Sequence, residues 1–158
     1  MLNPLNLLRY LDAYKAHGIT HWGLTVQNEP FACQRWNSMY FSPESMRDFV
    51  GKVLGPELER SGYGPDKVKI MILDHNVSLV KDWVARIFGD TLASKYASGT
   101  AIHWYGHDPK TMLDEPHQKH PDKFMLATEA CIEGAPKLGD WNTADMYASD
   151  ILEVNTSS

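Results

Sequence analysis

Cysteine is scarce in this chain: Cys33 and Cys131 are the only two in 158 residues. Two cysteines make neither a disulfide framework nor a zinc site, so both are expected to be free, buried thiols. Long apolar runs are missing too. None approaches the ~18 residues of a membrane span, and Met1-Leu2-Asn3-Pro4 has neither the basic start nor the apolar stretch of a secretion signal. No transmembrane segment is therefore expected. Positive charge is thin: 15 Lys and Arg, scattered along the chain, face 20 Asp and Glu, for a net charge of -5. Counterion release from phosphates requires clustered cations, which argues against a nucleic-acid partner. No glycine-rich phosphate loop, CxxC pair or Ser-His-Asp order occurs. His117 and His120 stand three apart, but no third ligand follows at useful spacing and Pro116 disturbs their helix. They are assigned to a solvated face, and neither a metal nor a cofactor is expected. Sequons occur at Asn76 and Asn155, the first too close to a strand end to suit a glycan.

What the chain does contain is ordinary globular material, 43% hydrophobic and 22% charged, in which helical and extended patterns take turns. Asn3 and Pro4 open a helix with Leu7, Leu8, Leu11 and Tyr14 at helical spacing, and Gly18 ends it. A strand is predicted over residues 19–27. Ser42-Pro43-Glu44 starts a helix carrying Met46, Phe49, Val50, Val53 and Leu54, interrupted near Gly55-Pro56 and finished by Gly62. The second strand is predicted over 68–74. Ser78 should cap a helix with Val80, Trp83, Val84 and Ile87 inward, and a short helix spans 92–96. Gly99 should release the third strand, TAIHWY, and Asp108-Pro109 another helix that Pro116 kinks or splits. The fourth strand spans 123–128, and Asp140 or Thr143 caps a last helix toward Val154. Strands separated by helices pair in parallel, so the class is α/β, with the chemistry at the carboxyl ends of the strands. A whole eight-stranded barrel takes about 250 residues, so the chain is expected to be one part of a single such domain.

Two of those strand ends carry glutamates, Glu29 in TVQNEP and Glu129 in FMLATEA. Breaking a glycosidic bond takes one carboxyl group that gives a proton to the leaving oxygen and an ionised one across the sugar carbon. A barrel brings such groups together from distant parts of the sequence. On TAIHWY the period of two puts His103 and Tyr105 on one face, where both can point into the barrel mouth. Phe31, Trp36 and Tyr40, in the loop after Pro30, are either a platform for a sugar or lipid or a closure of the barrel top.

TVQNEP, FSPESMRDFVGKVLGPEL, MILDHN, AIHWY, ATEAC and LGDWNTADMYASDI, in that order, resemble glycoside hydrolase family 30, above all its glucosylceramidase-like members. The resemblance runs across nearly the whole chain. It implies a partial (β/α)₈ TIM barrel holding strands four to seven, residues 1–158 being a fragment of the catalytic domain. The remaining strands and a β-sandwich domain would lie outside it. It implies retaining cleavage of β-glucosides, glucosylceramide first, with β-1,6-glucan or xylan as alternatives, and a small-molecule or glycolipid carbohydrate as partner. A catalytically silent carbohydrate-binding fragment is the rival, and the oligomeric state stays open. A secreted or lysosomal compartment follows from the resemblance alone. Glu129 resembles the nucleophile and Glu29 the acid/base. Asn28 resembles the residue that bonds the sugar 2-hydroxyl, although it also suits a turn before Pro30. Tyr105 resembles the tyrosine bonded to the nucleophile, and Trp104 a tryptophan at the sugar site, or else a packing residue. His103 belongs to the network around the acid or is a satisfied core histidine, and Asp74 is placed to order the site.

Overall fold

A computed structural model describes residues 3–156 except 33, 107, 108, 133 and 136. Four strands lie side by side in chain order: β1 (Gly23–Thr25), β2 (Lys69–Asn76), β3 (Ala97–His103) and β4 (Phe124–Glu129). All three pairings are parallel. Helices α2 (Pro43–Phe49) and α3 (Gly55–Arg60) connect the first pair, α4 (Val80–Phe88) and α5 (Thr91–Tyr96) the second, and α6 (Pro109–Lys119) the third. Helix α1 (Pro4–Ala16) precedes the sheet and α7 (Trp141–Thr156) follows it. The whole is a partial (β/α)₈ barrel. Its core joins Met46, Val50, Leu54 and Leu58 from the first crossover to Ile70 and Ile72 of β2, with Val80, Trp83, Val84 and Ile87 of α4. Among the described residues no helix is long and apolar enough to cross a membrane.

Local chemistry explains most boundaries. The Asn3 side chain accepts a hydrogen bond from Leu5 N at 3.0 Å and starts α1, whose Leu8 and Leu11 are buried. Tyr14 departs from the expected inward stripe, being 40% exposed against the rings of Tyr10 and His21. Ser42 and Ser45 form a reciprocal capping box on α2. The Asp90 side chain caps α5, and that of Asp140 accepts from Asn142 N at the start of α7.

Several expectations need correction. β1 is three residues long, not nine: β2 begins at Lys69, opposite Gly23 and bonded through its N–H to the Trp22 carbonyl, and offers nothing to pair with residues 19–21. No break occurs at Gly55-Pro56: α2 runs through a π-helical turn, Val50–Leu54, into α3. Proline cannot donate a backbone hydrogen bond and crowds the carbonyl four residues back; the wider turn accommodates it. Ser78 does not cap α4, since it lies in a 3₁₀ turn, Val77–Leu79, with no side-chain bond to the helix. Strand β3 starts at Ala97, where the end of α5 is already extended, and stops at His103, leaving Trp104 and Tyr105 beyond it. Pro116 sits inside α6, which it does not split, and both it and Leu113 are buried. The proposed cap Asp108 lies outside the described residues. His120 is half-buried, its ring 5.4 Å from that of Phe88.

Two glycines mark close approaches. A Cβ on Gly99 would lie 2.5 Å from the Phe124 ring of the neighbouring strand, and one on Gly55 only 2.1 Å from the Tyr96 ring. Gly55 has helical torsions, φ -58° and ψ -51°. On propensity alone Gly55→Ala would therefore stabilise by up to about 1 kcal/mol. The clash reverses the sign: we expect Gly55→Ala to destabilise by roughly 1–3 kcal/mol, read from urea melts, whereas a gain would show that Tyr96 moves freely. A second expectation follows from the sheet edges. Among the described residues β1 and β4 each pair on one side only, and Leu126 on β4 is 40% exposed. Unpaired edges of this kind template association, so the chain expressed alone should sediment as oligomers rather than monomer.

Candidate active site

The site is built on an irregularity in β2. Leu73 (φ +69°) and Asp74 (φ +56°) both adopt the left-handed conformation, and the register between β2 and β3 shifts between Leu73 and His75. This is a β-bulge, and it breaks the alternation of a strand. Leu73, Asp74 and His75 end a run buried from Ile70 onward, both faces of β2 being covered. The bulged Asp74 carbonyl accepts a hydrogen bond from Glu29 N at 2.8 Å, holding Glu29 at φ +46°. The Asp74 carboxylate accepts from Thr25 Oγ1 at 2.6 Å and from Thr128 Oγ1 at 2.8 Å. Its Oδ1 lies 3.2 Å from His103 Nε2. One carboxylate on β2 is thereby joined to β1, β3 and β4.

Burial raises the Asp74 carboxyl. Hydrogen bonds from His103, Thr25 and Thr128 outweigh that and hold it below the ordinary aspartate value. Burial likewise works against a cationic His103, but the bond and charge of Asp74, then the charges of Glu129 and Glu29, raise its pKa above the ordinary histidine value.

His103, fully buried, pairs in register with Glu129. Its Nδ1 stands 3.6 Å from Glu29 Oε1 and 3.7 Å from Glu129 Oε1. Gln34 Nε2 donates to Glu29 Oε2. Tyr105 OH donates to Glu129 Oε1 at 3.1 Å and lies 2.9 Å from Cys131 Sγ. Burial first, then the Cys131 and Glu129 contacts, raise the Tyr105 pKa, so the phenol keeps its proton and stays a donor. An open cavity of about 540 Å³ is lined by Asn28, Glu29, Gln34, Trp36, Tyr105 and Glu129, together with Asn76 and Cys131.

Of the residues singled out in the sequence, Asn28, Glu29, Tyr105 and Glu129 line this cavity. His103 and Asp74 sit buried beneath it. Trp104 is turned elsewhere: its Nε1 donates to the Cys131 carbonyl at 3.1 Å and its ring stacks on Tyr147 of α7 at 4.8 Å. Trp36 faces the cavity, whereas Phe31 packs on Tyr40 and Trp83. Cys131, expected to be buried, is an exposed free thiol, because the chain has left β4 two residues after Glu129. Cys33 lies outside the described residues. Thr25 and Gln34 escaped the sequence reading, and Thr128 and Cys131 were given no role in the site. Thr128 and Cys131 flank Glu129 closely enough to have been flagged, while Gln34 and Thr25 carry no local signal.

The description of a family model, the glycosyl hydrolase family 30 TIM-barrel domain, matches residues 5–157. The lysosomal acid glucosylceramidase of Mus musculus is 33% identical over 157 residues, which take in 92% of this chain and 30% of that protein. The crystal structure of SrfJ from Salmonella typhimurium superposes with a TM-score of 0.90 at 32% identity, covering 98% of this chain and 35% of that one. An endo-β1,6-glucanase structure gives a TM-score of 0.75 at 34% identity, over 89% and 30%. The chain thus spans less than a third of the length of the curated relative.

The Asp74–His103 pair gives stability a defined pH window. Because the folded Asp74 pKa is lowered, its contribution is present above about pH 4, the unfolded aspartate value, and is lost as pH falls through the lowered one. Because the folded His103 pKa is raised, its contribution is complete below about pH 6.5 and is lost as pH rises through the raised value. Together they should stabilise most between about pH 4 and 6.5. Asp74→Asn should cost about 3 kcal/mol in that window and flatten the profile in urea melts taken from acid to neutral pH. An unchanged profile would show that the pair does not couple to folding.

Proposed function

Because the chain belongs to glycosyl hydrolase family 30, we propose that the whole protein carrying it cleaves β-glucosides by double displacement, with Glu129 as nucleophile and Glu29 as acid/base. The observation that carries this reading is the meeting of the two carboxylates. Although 100 positions apart in sequence, they bring oxygen atoms within 4.8 Å of each other at the cavity. An inverting site keeps about 6.5–9.5 Å between its carboxyl groups to admit a water, and a retaining one about 5–5.5 Å. The short separation supports retention.

In this reading Glu29 protonates the leaving oxygen while Glu129 attacks the anomeric carbon and forms a glycosyl ester. A water then gives its proton to Glu29 and displaces the ester, and the sugar leaves with its configuration kept. Tyr105, bonded to Glu129 Oε1, fixes the carboxylate so that its other oxygen faces the sugar. Asn28 on the cavity wall is placed to bond the 2-hydroxyl, and the exposed Trp36 ring to stack on a sugar face. The four strands supply half of the barrel, and the rest of the pocket comes from the remainder of the domain. Glucosylceramide is the favoured substrate. Similarity to an endo-β1,6-glucanase at 34% identity supports a second reading, in which the acceptor side takes β-1,6-glucan.

In the whole protein a fluorosugar inactivator should label Glu129, and Glu129→Gln should abolish labelling and turnover together. Glu29→Ala should still be glycosylated by substrates whose leaving group needs no proton, with azide rescuing the second step. Tyr105→Phe should lower kcat/KM by about 10–100-fold, the worth of a hydrogen bond to a charged group. Labelling of any other residue overturns the roles. Comparing kcat/KM for micellar glucosylceramide and β-1,6-linked glucose oligomers decides between the substrates.

A further inference from the structure

We propose that Glu29, His103 and Glu129 also form a binding site for one zinc-class divalent cation, which competes with the sugar and inhibits turnover. The inhibition rests on the glycosidase reading above; the binding does not.

The His103 side chain is 1% exposed, yet its Nδ1 has no hydrogen-bond partner. It is aimed into a gap between two carboxylate oxygens, at 3.6 and 3.7 Å, both too far for a direct bond. One donor atom from each of the three residues lies within 4.8 Å of the other two. Zinc sits about 2.0–2.2 Å from imidazole nitrogen and carboxylate oxygen, so tetrahedral donors stand about 3.3–3.6 Å apart. Two edges of the triangle already approach that spacing. The third closes if Glu129, whose side chain is 42% exposed, exchanges its Tyr105 bond for the ion and swings inward. On its far side His103 meets Asp74 at 3.2 Å, the carboxylate–histidine arrangement that fixes a ligand's tautomer and strengthens it as a base. The fourth corner of the tetrahedron opens on the cavity, where water completes the set.

The donor set also selects the ion. One imidazole and two carboxylates suit zinc, cobalt or copper, whereas calcium takes six or more oxygens that this gap does not offer. A carboxylate bound to zinc can neither attack carbon nor hand over a proton, so the ion acts as an inhibitor and not as a cofactor.

The test uses the whole protein stripped with a chelator. Cobalt should produce the visible absorption of a tetrahedral site, and zinc should abolish it at an equivalent concentration. Zinc should also slow fluorosugar labelling, with EDTA restoring it. His103→Gln should weaken zinc binding more than tenfold, and Asp74→Asn about 10–100-fold. Should the buried variants fail to fold, Glu129→Gln, altered at the exposed corner, should still lose at least tenfold. Absence of the tetrahedral spectrum, or zinc affinity unchanged in Glu129→Gln, overturns the site. A protein that labels at Glu129 without binding cobalt sinks this proposal alone. One that binds cobalt but is not labelled sinks the glycosidase reading instead.

Discussion

A single buried carboxylate, Asp74, ties the four strands together where their chemistry-bearing ends meet. Its side chain reaches Thr25, His103 and Thr128, and its carbonyl receives Glu29 N. Reaching all of them requires two successive left-handed residues, and that conformation costs an ordinary residue roughly 1–2 kcal/mol. Hydrogen bonds to a charged acceptor contribute about 1.5–3 kcal/mol each, enough for the three side-chain contacts to hold the bulge in place. Strain of this kind persists only where the surroundings over-determine it. Here those surroundings are the residues that position Glu29 and Glu129, so local stability and site geometry rest on the same contacts.

Much of the architecture was legible because alternating apolar runs and helical stripes are strong local signals. The inward set Val80, Trp83, Val84 and Ile87 followed from spacing and is buried as expected. What misled were residues whose meaning depends on a distant partner. Gly55 reads locally as a helix breaker, but in the fold it is the gap into which Tyr96 fits. Ile19 reads as strand, yet without a β2 residue opposite it stays outside the sheet, 50% exposed. The extra residue that makes the β2 bulge leaves no trace in KIMILD, since bulging is decided by what the neighbouring strand and Glu29 demand.

The site was legible at its two ends and opaque in its middle. Glu29 and Glu129 stood out because each follows a strand-like run, and His103 with Tyr105 because alternation along TAIHWY put them on one face, although β3 ends at His103. Asp74 was visible as a strand-end residue, but its role as a hub was not: the contacts that define it come from positions 25, 29, 103 and 128. A search for ligands at short spacing likewise passes over a trio whose members sit on three different segments. Proximity of that sort belongs to the barrel, not to any stretch of it.

The same connectivity answers how two carboxylates remain side by side. Within 4.8 Å, two unit charges in an effective dielectric of about 20 repel by roughly 3 kcal/mol, enough to push the pair apart. His103 lies between and below them, nearer to each than they are to one another. When His103 is protonated its charge attracts both carboxylates, and Asp74 favours that state in a buried position by raising the His103 pKa. The chain of cause runs from the bulge to Asp74, from Asp74 to the raised pKa of His103, and from His103 to the spacing of the pair. Asp74 therefore acts on Glu29 and Glu129 through an intermediate. For that reason its neutral replacement should disturb the distance between the carboxylates before it disturbs either one alone.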